Sequence, residues 1–280
     1  MTLSYTEYSK AVKMPLDDLA RFNQERWDDL ARSGIEYARP YLELDEDMAR
    51  DLVDPDGFIG DTHGLDVLCL ASGGGQQTAA FGLLGANVTC IDLSEEQLER
   101  DRVAADHYGL EVQTVQGDMR DLSMFGEAAF DVVWHGHSLN FVPDARTVFG
   151  QVRRVSKKAG LYRLSCANPY FHGIDEEEWN GDAYPLRNRY EEGEVIYPTG
   201  DEWTFTAADG SRQRVQGPRE FRHSMETLLN GPIELGFTLL QMSEHPYSDP
   251  EVDPEPGTWK HLQSIAPPYL GFWWRYTPRT

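Results

Sequence analysis

Apolar and polar positions change their period along the 280 residues, and each change marks a different kind of element. Up to about residue 60, Leu16, Leu19, Ala20, Phe22, Trp27 and Leu30 recur at helical spacing until Pro40 breaks the run, which predicts two or three helices ahead of a core. From Leu65 onward, short apolar runs alternate with helical segments. A strand buried on both faces needs no polar alternation, so this pattern predicts a parallel sheet built from βαβ units. The runs place strands at Asp66–Leu70, Val88–Ile91, Val112–Gln116, Asp131–His135 and Leu161–Ala167. Ser94 followed by Gln97 forms a capping box opening a helix to Tyr108, where Gly109 supplies a left-handed stop. Pro143 and Asp144 open another, which ends at Lys157, Lys158 and Gly160 with its cations at the negative end of the dipole.

After Pro169 the pattern breaks. Residues 170–220 hold an acidic run from Asp175 to Glu178, which reads as a solvated face or the N-terminal turn of a helix, and a hairpin over 201–216 turning at Asp209 and Gly210. The segment is too long for an ordinary connection and reads as an insertion. Helical spacing returns with Phe221, Met225, Leu228 and Leu229, followed by a strand Phe237–Met242 and an aromatic strand Tyr269–Tyr276. The chain therefore divides into an N-terminal helical cap (1–60), a core (61–169), the insertion (170–220) and a return to the core sheet (221–280).

Hydrophobic residues at 40%, with 11% aromatics, let this chain bury a core. The 47 acidic and 25 basic residues leave a net charge of −22, so the average surface repels phosphate backbones and a nucleic-acid partner is not expected. No run approaches the roughly 20 apolar residues that span a bilayer, and the N-terminal stretch lacks the apolar region of a signal peptide. A cytoplasmic protein with no membrane partner is the expectation. The cysteines Cys69, Cys90 and Cys166 lie inside apolar runs without metal-ligand spacing, which predicts neither disulfides nor a metal site. Only 5 of the 25 basic residues are lysine, a bias that a salt-rich cytoplasm, a GC-rich genome and plain solubility explain alike.

The chemistry is concentrated between Val67 and Leu98. A strand that runs into Gly73, Gly74 and Gly75 before a helix removes β-carbons where a ligand must approach the backbone, and aims helix N–H groups at an anionic group. Asp92 stands nineteen residues after Gly73, at the end of the next strand, where a carboxylate can accept hydrogen bonds from both hydroxyls of an adenosine ribose. The third strand ends in Gly117, Asp118 and Met119, an acceptor for an adenine amino group beside an apolar thioether.

In this order and spacing the chain resembles the class I S-adenosylmethionine-dependent methyltransferases. The resemblance implies a doubly wound α/β fold whose mostly parallel seven-stranded sheet has the order 3-2-1-4-5-7-6, with the last strand antiparallel. It covers residues 64–168, and the later helix and strands fit the sixth and reversed seventh strands. By the same resemblance the cofactor is S-adenosylmethionine, leaving as S-adenosylhomocysteine, held by Ala71, Ser72, Gly73 and Gly75, by Asp92 and Leu93, and by Gly117, Asp118 and Met119. The family's first motif is an acid and then Gly-x-Gly-x-Gly at alternate positions; here those positions hold Cys69, Ala71, Gly73 and Gly75. The family's acid organises the loop that receives the methionine end, so Ser72 or an N-terminal residue is the expected substitute. Cys69 and Ala71 are also the features that would suit a catalytically silent cofactor-binding protein. A nicotinamide-binding oxidoreductase would require glycine at Gln76. The closest likeness is to small-molecule methyltransferases of the quinone-biosynthesis type.

Methyl transfer from a sulfonium is a direct displacement, which asks the protein mainly for alignment and exclusion of water, with a base where the acceptor carries a proton. The fourth strand places His135 and His137 at its carboxyl end, on one face by strand alternation, as candidate bases. Trp27, Tyr37, Tyr41 and His223 are the candidate acceptor contacts, and their aromatic character suits a small apolar or aromatic molecule. Asn168, Pro169 and Tyr170 resemble part of a base-flipping motif of DNA methyltransferases, but follow the fifth strand rather than the fourth.

Overall fold

A computed structural model describes residues 16–197, 202–206, 211–244 and 253–278. Helices α1 (Asp18–Arg32) and α2 (Glu46–Val53) precede β1 (Asp66–Leu70), α3 (Gln77–Leu83), β2 (Asn87–Asp92), α4 (Glu95–Tyr108) and β3 (Val112–Gln116). Then come β4 (Phe130–His137), α5 (Ala145–Val155) and β5 (Ser156–Ala167). The short strands β6 (Gly193–Glu194), β7 (Glu202–Thr206), β8 (Arg212–Gln216) and β9 (Phe221–Arg222) lie between β5 and the next helix, in and just after the segment that the sequence reads as an insertion. The chain ends with α6 (Met225–Glu234), β10 (Phe237–Glu244), α7 (Trp259–Ile265) and β11 (Tyr269–Tyr276).

Seven strands form one sheet in the order β10-β11-β5-β4-β1-β2-β3, which is the expected order 3-2-1-4-5-7-6. The pairs within β1 to β5 are parallel, and β11 is antiparallel to both neighbours. Successive side chains of a strand point to opposite faces. In β1, Leu68 and Leu70 enter the core under α5 and α6, while Val67 and Cys69 enter the one under α2 and α3, all fully buried. Burial of each large side chain contributes about 1.5–3 kcal/mol, which is why both faces of the central strands are apolar.

Ser94 caps α4 by accepting from the Gln97 N–H at 3.1 Å, and Gly109 ends it at φ 67°. Lys157 and Lys158 do not end α5, because the helix stops at Val155 and β5 starts at Ser156. Lys157 Nζ instead ties the beginnings of three strands together, donating to Asp66 at 2.8 Å and to Asp131 at 2.7 Å. Phe221 lies on β9, paired with β6, and α6 begins four residues later behind its cap Ser224. β7 and β8 form the expected antiparallel pair; its turn at Asp209 and Gly210 lies outside the described residues.

α1 lies across the carboxyl ends of the strands. Its Trp27 packs edge-on against Phe141 at 5.1 Å and Trp203 of β7 at 5.7 Å, over a small core of Leu30, Ala31, Ile35, Ala38 and Phe205. Buried Asn23 donates to the carbonyls of Phe141 and Arg219 and accepts from the Arg219 N–H, which joins α1 to both the sheet and the insertion. Arg120, after β3, pairs with Asp17 at the start of α1 at 2.8 Å. A pocket whose floor is the strand ends thus acquires a roof.

Candidate active site

The turn after β1 has a backbone that most side chains resist. Ala71 sits at φ 45°, and Gly74 and Gly75 at 126° and 73°. Ala71 therefore holds, at some strain, the left-handed conformation that glycine would supply freely. A Cβ on Gly73 would lie 2.6 Å from Gln97 Cβ and 3.0 Å from Asp92 Oδ2, so the turn presses directly on the end of β2. Asp92 accepts from the Gly73 N–H at 3.0 Å and the Ser94 N–H at 2.9 Å. Burial raises its carboxyl above the ordinary value, to about 6, against the pull of those backbone donors.

Sequence reasoning missed Asp101. It lies on α4, is fully buried, and sits beneath the turn that Cys69 leaves without its acid. Its Oδ1 accepts from the Gly75 N–H at 3.0 Å and the Thr78 hydroxyl at 2.7 Å, and Cys90 Sγ lies 3.6 Å from Oδ2. Burial raises Asp101 to about 7, with Thr78 opposing and Asp92 reinforcing. A carboxyl raised on folding stabilises the fold below its unfolded value near 4, and that contribution is lost as pH rises through about 7. The stability of wild type relative to Asp101→Asn is therefore expected to fall between pH 4 and pH 7, read as the difference in Tm. The same variant should bind S-adenosylhomocysteine about tenfold more weakly, because an amide nitrogen replaces the Oδ2 that faces Cys90 and the uncharged amide oxygen holds the Gly75 N–H and the Thr78 hydroxyl less strongly. An unchanged Tm difference across that range would show that Asp101 does not titrate there.

A cavity of about 1100 Å³ runs from this turn to the insertion. Ala71, Ser72, Gly73, Asp92 and Leu93 line one end, together with Gly117, Asp118 and Met119. Gly75 does not: a Cβ there would meet the Arg100 carbonyl at 2.5 Å, so this glycine serves the packing of the turn on α4. Asp118 faces the cavity but has both oxygens engaged by Arg120, Oδ1 by its backbone N–H at 2.9 Å and Oδ2 by its guanidinium at 2.6 Å. Ser138 Oγ, Gln97 Oε1 and both amide atoms of Asn140 are buried along the cavity with no protein partner. An unsatisfied buried polar atom costs about 1–3 kcal/mol, so these groups fit a ligand rich in amino, carboxylate and hydroxyl functions.

At the other end the structure separates the two histidines expected to share one face of the strand. β4 carries an irregularity between His135 and His137, where two steps on β4 oppose one on β5. His137 opens into the cavity, its ring edge-on to Tyr269 at 4.6 Å. His135 is fully buried away from it, with Nδ1 3.0 Å from the Tyr162 hydroxyl. Desolvation by the cavity walls lowers His137 to about 4, opposed by Glu220 and reinforced by His172. Trp27 and Tyr37 line the cavity as expected. Tyr41 does not; its backbone holds Gly75 and the Tyr108 hydroxyl. His223 does not either, since it is buried against the Leu139 carbonyl at 3.1 Å. The acidic run is a 3-10 turn (Glu176–Glu178) capped by Asp175, and Asp175, Glu176 and Glu177 face the cavity rather than bulk solvent alone. Asn168 gives its amide to the Pro267 carbonyl and accepts from the Tyr170 N–H, which occupies the group a flipped base would need. A further pair that the sequence did not signal is His172 and Glu220, with Nε2 2.7 Å from Oε2.

A family profile described as "Methyltransferase domain" matches residues 68–164. The chain is 33% identical over 183 residues to the uncharacterized methyltransferase YbaJ of Bacillus subtilis, covering 65% of this chain and 69% of that protein. A ubiquinone biosynthesis O-methyltransferase of Maricaulis maris is 33% identical over 105 residues, but the chain spans only 41% of its length. The crystal structure of an S-adenosylmethionine-dependent methyltransferase from Mesorhizobium loti superposes with a TM-score of 0.62 at 21% identity, covering 84% of this chain and all of that one, and so shares the fold. Sheet order, glycine turn, Asp92 and the relatives agree: the chain belongs to the class I S-adenosylmethionine-dependent methyltransferases, with S-adenosylmethionine as its cofactor.

Proposed function

We propose that the protein methylates a small molecule held in the outer half of the cavity, by direct displacement. The observation that carries this reading is that one continuous cavity joins the cofactor turn to walls contributed by α1, the insertion and the segment before β11. The bound cofactor supplies an electrophilic methyl group on a sulfonium. Asp92 would hold its ribose hydroxyls, Met119 and Leu93 would flank its base, and Ser138 and Gln97 would satisfy its polar groups. Trp27, Phe141 and Trp203 would exclude water and orient the acceptor, as the edge-on packing of Trp27 against the other two already fixes their positions. Residues 61–169 then serve the cofactor and 170–220 the acceptor. Among the described residues no helix is long and apolar enough to cross a membrane. Calorimetry with S-adenosylhomocysteine, followed by a methyl-release assay over a panel of small acceptors, tests the reading; a chain that binds the cofactor but methylates nothing in the panel would return it to the silent binding protein.

His137 is neutral above about pH 4 and is therefore ready to accept a hydrogen bond from the attacking group without first losing a proton. His137→Ala is expected to lower kcat about 10²-fold, the low end for a positioned base, because a base of such low pKa takes a proton weakly. The wild-type rate should show no inflection from His137 between pH 5 and pH 9. A clear histidine inflection that vanishes in His137→Ala would show that the group titrates near neutrality.

A further inference from the structure

Carboxylates dominate the outer half of the cavity. Glu36, Asp175, Glu176, Glu177, Glu202 and Glu220 face it, and Arg214 is the single arginine or lysine among the described residues on that side. The whole chain has 47 acidic to 25 basic residues, about two to one, so six to one is not the average surface folded inward. Arg214 lies 3.8 Å from Glu177 and 4.0 Å from Glu202, and so offsets the rim alone.

Glu220 is the deep member, its side chain 11% exposed. Oε2 accepts from the Tyr197 hydroxyl at 3.2 Å and meets His172, while Oε1 has no hydrogen-bond partner among the described residues. Tyr197, Tyr269 and Tyr37 surround this end with Trp259. Burial raises Tyr197 and Tyr269 above their ordinary values, so they are neutral rings whose faces attract cations. His137, neutral as well, adds no positive charge. Independently, Asn140 is 2% exposed, faces the cavity, and has an amide oxygen with nothing to accept from. The carboxylates facing this side repel an anionic acceptor, while an ammonium brings N–H donors for Glu220 Oε1 and Asn140 Oδ1 together with the charge that offsets the carboxylates.

We propose that the acceptor side is built for an organic ammonium, so that the small molecule methylated here carries a basic amine, its N–H groups toward Glu220 and Asn140 and its carbon skeleton against the aromatic walls. This rests on the methyltransferase reading above and narrows its apolar or aromatic acceptor to a cationic one.

The test titrates protein saturated with S-adenosylhomocysteine with 2-phenylethylamine, 2-phenylethanol and phenylacetate near neutral pH and low salt, by calorimetry. The amine is expected to bind about tenfold or more tightly than the alcohol and to weaken with added salt, while the carboxylate shows no binding. Glu220→Gln should lower amine affinity about tenfold and leave the alcohol within about twofold. Equal or tighter binding of the alcohol or the carboxylate, or no binding of the amine at millimolar concentration, overturns the proposal. If Glu220→Gln fails to fold, the ranking of the three probes on the wild type still decides. Failure of S-adenosylhomocysteine to bind at the outset would strike the cofactor reading instead, so the two failures are distinguishable.

Discussion

Asp92→Ala is expected to remove S-adenosylhomocysteine binding by more than about 100-fold while the protein stays folded. Two ribose hydrogen bonds to a charged acceptor are together worth about 3 kcal/mol or more, and Asp92 sits at a strand end facing the cavity rather than in either apolar core. The substitution also takes the acceptor from the Gly73 and Ser94 N–H groups, so the glycine turn loosens at the point where the ligand approaches. Isothermal titration with circular dichroism as a control reads both effects. Because desolvation raises Asp92 to about 6, wild-type affinity should also fall as pH drops below that value, where the carboxyl takes up a proton and loses the charge that strengthens its hydrogen bonds. Binding by Asp92→Ala at wild-type strength would contradict the proposed contact of Asp92 with the ribose.

Gly75→Ala should cost about 3 kcal/mol of stability, which for a chain of this size is near 5 °C in Tm. The added methyl would lie 2.5 Å from the Arg100 carbonyl and 2.9 Å from Ala104 Cβ, and the backbone there is held at φ 73°. Left-handed backbone costs an alanine about 1–2 kcal/mol, and a contact with a helix carbonyl cannot be relieved by a side-chain rotation. Cofactor affinity should fall as well, since the Gly75 N–H would be drawn off Asp101. Gly109→Ala is the control: its φ is 67° but its Cβ would meet nothing within 4 Å, so it should show the backbone cost alone. Equal losses from the two variants would mean that close packing of the turn on α4 contributes nothing.

Much of the cofactor half was legible because its signals are local. The continuous apolar runs of β1 and β2 require burial on both faces, Ser94 and Gly109 bracket α4 through contacts within four residues, and Asp92 follows from the length of one βα unit. The lysines at the end of α5 misled for the same reason: a cation suits a helix terminus locally, but Asp66 and Asp131 offered Lys157 two partners from other strands. His135 and His137 were placed together by strict alternation, which one irregularity in the pairing of β4 with β5 undoes. Nothing local sets Asp101 apart from the other acids of α4, and only the packing of the turn on that helix gives it a role.

The sequence alone located the strands, the glycine turn and Asp92, since periodicity, capping and turn chemistry act over a few residues and are set by backbone geometry, and the strand order followed from the family resemblance that those residues carry. Only the packed chain decided what that turn rests on and what closes the cavity. Asp17 reaches Arg120 across 103 positions, Asn23 reaches Arg219 across 196, and His172 reaches Glu220 across 48. No local rule specifies such pairs, because each depends on where two separately formed elements come to lie once their apolar faces are buried against each other.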